Sequence, residues 1–156
     1  MLDMHVVAFF LFFHFVFDFW LQPRIMARKK STDTKWLLGH VALYASGLAV
    51  AMYFPLRDIY SFTFWNAIIV SLVFASINGT THFAIDAVTS RISKYWYVKA
   101  QPNAWIEGCS VPRNVWEGSI ACNEYDKNME AFWTTIGIDQ LLHTLILLGT
   151  LVPLSR

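Results

Sequence analysis

Apolar residues run along this chain in four long blocks, three of them interrupted by ionisable side chains at helical spacing and the other by a single histidine. The blocks cover about 4–22, 36–54, 63–87 and 131–152, each near the ~20 residues a helix needs to cross the hydrocarbon of a bilayer. The pattern predicts an all-α polytopic membrane protein. Its four transmembrane helices form an antiparallel bundle, one membrane domain over 1–156, with one long polar loop over 91–130.

The blocks also divide into faces. In the third, Ala67, Ser71, Ala75, Asn78, His82 and Asp86 recur every three to four residues and paint one stripe. Ile69, Val73, Ile77 and Ile85 lie opposite and suit lipid or a partner helix. The second block carries small residues at Gly39, Ala42, Ala45, Ser46, Gly47 and Ala49, which permit close helix approach. Ser31-Thr32-Asp33-Thr34 is a capping region for that block. Trp20, Trp36 and Trp65 fall near block ends, where interfacial aromatics belong.

Charge sets the orientation. Arg24, Arg28, Lys29, Lys30 and Lys35 stand against Asp33 alone in the first loop, which the positive-inside rule keeps in the cytoplasm. Alternation then makes 91–130 cytoplasmic and leaves both termini outside. Cys109 and Cys122 in that loop are expected to be reduced thiols there. The first block has no basic region before it and no small-residue cleavage site after it, so it is read as a retained span. A net charge of +1 points away from nucleic acid as a partner. The partners expected are membrane lipids, with a membrane-protein partner or a second copy of the chain beside them.

The chemistry lies in three pairs, His14/Asp18, His82/Asp86 and Asp139/His143, each four residues apart and so on one helix face. His40 adds a fourth imidazole. Given the topology, all of them fall in the cytoplasmic half of the bilayer, where four antiparallel helices can aim them at one centre. Ionisable groups inside a span are costly and mark sites where something is bound or moved. Imidazole nitrogen and carboxylate oxygen together bind divalent metals, zinc above all. One ion, or two as in carboxylate four-helix bundles, is within the donor count. The expected ligands are His14, His82 and His143, with Asp18, Asp86 and Asp139 as ligands or orienters. Asp18, Asp86, Asp139 and His40 are the candidates for acid–base work. Gln22, Asn78 and Gln140 are the candidate substrate contacts. Gln22 continues the His14/Asp18 face, Asn78 precedes His82 by one turn, and Gln140 points about 100° away from Asp139 toward another helix. The competing reading makes the pairs ion pairs or hydrogen bonds that only fix the bundle. His5 is an interfacial residue near the opposite membrane face. Asn78-Gly79-Thr80 matches a glycosylation sequon but lies inside a span.

The blocks His14-Phe-Val-Phe-Asp18-Phe-Trp-Leu-Gln22, Leu38-Gly-His40, His82-Phe-Ala-Ile-Asp86 and Asp139-Gln140-Leu-Leu-His143 resemble domain-of-unknown-function family 3307. That resemblance implies a small membrane protein of bacteria and their phages, hence a multi-pass protein of the bacterial inner membrane that is phage-encoded. It implies no activity. A looser likeness to membrane-bound metal-dependent hydrolases is analogy. The function expected is metal-dependent hydrolysis of a lipid-like or membrane-borne substrate. Transport of protons or divalent cations is the alternative from a different class. A third reading is an interaction protein that modulates a host envelope process through loop 91–130, with Trp105 and Trp116 on its contact surface.

Overall fold

The computed structural model describes residues 4–100 and 120–155, and among them the chain is helical throughout, with no strand. Helix α1 covers Met4–Phe15 and runs on as a π-helical turn over Val16–Trp20. A short α2 spans Arg24–Lys29. The long helices are α3 (Thr34–Asp58), α4 (Phe64–Ala100) and α5 (Ile120–Leu151), the last ending in a 3-10 turn over Val152–Ser155. Stretches of α3, α4 and α5, namely Thr34–Asp58, Phe64–Val98 and Lys127–Leu151, are long and apolar enough to cross a membrane. The first helix, Met4–Trp20, is apolar but shorter. With α1 and α3–α5 alternating in direction, the fold is the four-helix bundle expected from the apolar blocks.

The polar stripe of α4 turns inward as a unit. Ala67, Ser71, Ala75, Asn78, His82 and Asp86 are all buried, while Ile69, Val73 and Ile77 are exposed on the opposite face. This division follows from the 3.6-residue period alone. Asp33 caps α3 by accepting from the Lys35 amide at 2.9 Å. Trp20 and Trp65 are exposed near helix ends, and Trp36 sits under the Lys29 ammonium.

The bundle has two halves along its axis. One is an apolar core of Val6, Phe10, Leu48, Ala51, Met52, Leu56, Ala67, Phe74, Leu147 and Leu151. The other holds the buried His and Asp residues of all four helices. Between them α1 lies close on α3: a Cβ added at Gly47 would come within 2.5 Å of three Phe17 ring atoms. Gly47→Val is therefore expected to destabilise the bundle by about 1–3 kcal/mol, the usual cost of overpacking. Thermal unfolding in detergent checks this, and Phe17→Leu in the same chain should restore part of the loss.

The polar region 91–130 is not a loop from end to end. Helix α4 continues to Ala100 and α5 begins at Ile120. Once a span leaves the apolar layer its backbone ladder still gains one bond per residue, so solvated residues such as Arg91 and Lys94 extend it. Trp105, Cys109 and Trp116 lie outside the described residues, as does the side chain of Cys122.

Candidate metal centre

Each of the four bundle helices delivers polar groups to the same end of the bundle. They are His14 from α1, Asp18 from the π turn, His40 from α3, His82 and Asp86 from α4, and Asp139, Gln140 and His143 from α5. His14, Asp18, His40, His82, Asp86 and His143 are buried, with His40 wholly inaccessible. The π turn matters for Asp18. The Leu21 amide donates five residues back to the Val16 carbonyl at 2.8 Å, the wider ladder often found at functional positions. Strict α stacking of residues four apart is lost there, and His14 Nε2 lies 4.0 Å from Asp18 Oδ2.

The closest contacts run between helices. The partners of Asp18 Oδ1 are His40 Nε2 at 3.1 Å and His82 Nε2 at 3.4 Å. Those two imidazole nitrogens are 3.0 Å from each other. Asp86 Oδ2 is 3.3 Å from His40 Nε2, but 3.6 Å from His82 of its own helix. Asp139 Oδ2 and His143 Nδ1 are 3.5 Å apart. The three pairs read from the sequence are thus real neighbours, yet for Asp18 and Asp86 an imidazole from another helix lies closer than the one on the same helix.

Asp18, His40 and His82 can hold a metal ion. The edges of their triangle are 3.0, 3.1 and 3.4 Å. A tetrahedral ion with ligands at about 2.0–2.1 Å has its ligand atoms about 3.3–3.4 Å apart. The triangle therefore has the size of one face of a zinc-like tetrahedron and needs only small shifts to close on an ion. Neighbours hold two of the donors in place. Gln140 Nε2 donates to Asp18 Oδ2 at 3.2 Å, which leaves Oδ1 to face the imidazoles. Tyr44 stacks on His82 with ring centroids 4.1 Å apart and planes 16° off parallel. Such supports fix ligand orientation and tune affinity.

A second set of donors adjoins the first. His82, Asp86 and His143 also lie within reach of a common ion. Here Lys30 intervenes, donating from Nζ to Asp86 Oδ2 at 2.8 Å and lying 3.4 Å from His40 Nε2. Asp139 is in hydrogen-bond contact with the Thr89 hydroxyl and accepts from Gln140 Nε2 at 2.9 Å.

The remaining candidates divide. His14 sits beside the donor triangle, with Nδ1 3.0 Å from the Tyr44 hydroxyl and Nε2 3.4 Å from Gln140 Oε1. Gln140 reaches across to α1, as its angular offset from Asp139 implies. Asn78 does not pair with His82. It donates to the Phe74 carbonyl at 2.9 Å and to the Thr150 hydroxyl at 3.0 Å, one step away from the cluster. Gln22 is half-buried, and its amide nitrogen has no hydrogen-bond partner among the described residues. His5 is exposed near the other end of α1. Lys30, Tyr44 and Thr89 are members of the cluster that sequence reasoning passed over. Two of them carried a usable signal: Thr89 lies three residues after Asp86 on the stripe of α4, and Tyr44 lies four after His40 on one face of α3.

The family model described as "Protein of unknown function (DUF3307)" matches residues 6–153, and the chain belongs to that family. No curated protein and no solved structure matches it.

Proposed function

We propose that this member of the DUF3307 family is a metal-dependent hydrolase embedded in the membrane, acting on a lipid-like or membrane-borne ester or phosphoester. The observation that carries this reading is the buried Asp18–His40–His82 triangle, with edges of 3.0–3.4 Å. Structural zinc sites close all four positions, whereas catalytic ones keep three protein ligands and an open fourth. Mixed imidazole and carboxylate donors in that geometry favour zinc. A bound divalent ion supplies Lewis acidity toward a carbonyl or phosphoryl oxygen.

The chain supplies the rest. Gln140 and Tyr44 orient the donors. Asp86 and Asp139 are the carboxylates beyond the triangle that can take up and return a proton. Burial of the cluster excludes bulk water. Because the centre lies among apolar helices, a substrate dissolved in the bilayer reaches it without entering water. The basic first loop favours a cytoplasmic position for this end of the bundle in a bacterial inner membrane, and a phage-encoded origin fits the family resemblance. The apolar half of the bundle, with Phe10, Leu48, Leu56 and Leu147 wholly buried, weighs against a continuous ion path.

The test is turnover of a panel of fluorogenic lipid esters and phosphodiesters in mixed micelles. Expected is hydrolysis that a chelator abolishes and added zinc restores. Zinc-loaded protein inert toward the whole panel, together with His82-dependent cation flux in liposomes, would replace the hydrolase with a transporter.

A further inference from the structure

Lys30 is the one ammonium in direct contact with the cluster among the described residues. Its backbone lies in the turn between α2 and α3, beyond the end of the bundle. Its side chain is 18% exposed, against 2% for the Asp86 carboxylate it meets. A long apolar stem with a charged tip can enter such a site from the membrane surface and leave it again. The position it takes is specific: Nζ is 2.8 Å from Asp86 Oδ2 and 3.4 Å from His40 Nε2. That places a positive charge against the donor set His82, Asp86 and His143.

We propose that the centre has two overlapping cation positions and that Lys30 is the tethered cation of the second. The centre then takes one divalent ion, held by Asp18, His40 and His82. This rests on the metal-centre reading above and decides its ion count. The charge balance of the cluster supports it beside this geometry. Formal charge gives the same count: Asp18, Asp86 and Asp139 bring −3, Lys30 brings +1, and one divalent ion balances the remainder. A second divalent ion would leave an excess of +2 in a low-dielectric interior, where uncompensated charge is strongly unfavourable.

The experiment is equilibrium dialysis of full-length, chelator-stripped protein in detergent against zinc, with metal counted per chain. Wild type and Lys30→Arg are expected to bind about one ion. Lys30→Gln and Lys30→Met are expected to bind a second one, which His143→Ala in the same chain removes. If wild type binds one ion and both neutral variants also stop at one, Lys30 is not a cation substitute, while the metal centre stands. Wild type that reaches two ions overturns the inference whatever the variants do, so the test survives a variant that fails to fold. Wild type that binds none overturns both this inference and the metal reading.

Discussion

His82→Ala protein is expected to lose its divalent ion, with affinity lowered by more than about 100-fold, because even residues that only support a ligand cost 10–100-fold when replaced. The size of the effect comes from the position of His82. It belongs to both donor sets. Its Nε2 lies 3.0 Å from His40, 3.4 Å from Asp18 and 3.6 Å from Asp86. His40 is already engaged, and the nearest Asp86–His143 contact is 3.9 Å. Equilibrium dialysis against zinc measures the loss. His82→Gln, which retains polarity and most of the volume, controls for folding and should show the same loss. Retention of one tightly held ion in both variants would remove His82 from the centre.

A comparable effect is expected at Asp18, with a contrast at His14. Asp18→Asn keeps the shape of the side chain and its acceptance from Gln140, but removes the charge that faces two imidazoles. Loss of the ion and a fall of at least about 100-fold in chelator-sensitive turnover follow, the scale typical for a group engaged in the chemical step. His14 is the neighbour of Asp18 in sequence pattern, yet its partners are Tyr44 and Gln140. His14→Gln is therefore expected to retain metal at wild-type stoichiometry and to lose less than about tenfold in turnover, since its role is to support Gln140 and Tyr44. Metal counts on the two variants side by side check this. Equal loss in both would put His14 among the ligands.

The contrast between Asp18 and His14 shows how far the sequence reaches. The four apolar blocks, the inward stripe of α4 and the gathering of His and Asp residues at one end are all legible, because each depends on helical period and span direction. Which Asp meets which His is not. That depends on the rotation of each helix about its axis, and on the π turn at Val16–Trp20, which no local residue pattern announces. Spacing favours the pair on one helix, while packing brings Asp18 closer to His40 and His82. Lys30 was hidden for a different reason. It belongs to a basic run that topology explains completely, and only the fold shows its stem turning inward to Asp86. Asn78 illustrates the reverse error: it lies on the polar stripe of α4, but one turn of helix is enough to hand it to Thr150. The ends of the polar region are not legible either, because Arg91 and Lys94 only mark where α4 leaves the apolar layer and not where the helix stops.

The metal content of wild-type protein, purified in detergent without chelator and counted by elemental analysis, tests the metal centre most directly. About one zinc or comparable divalent ion per chain is the result expected for three buried donors at this spacing. Less than about a tenth of an equivalent, with none taken up on dialysis against micromolar zinc, would contradict it, since a site of this kind binds in that range or tighter. The cluster would then be a network of hydrogen bonds and ion pairs that fixes the bundle.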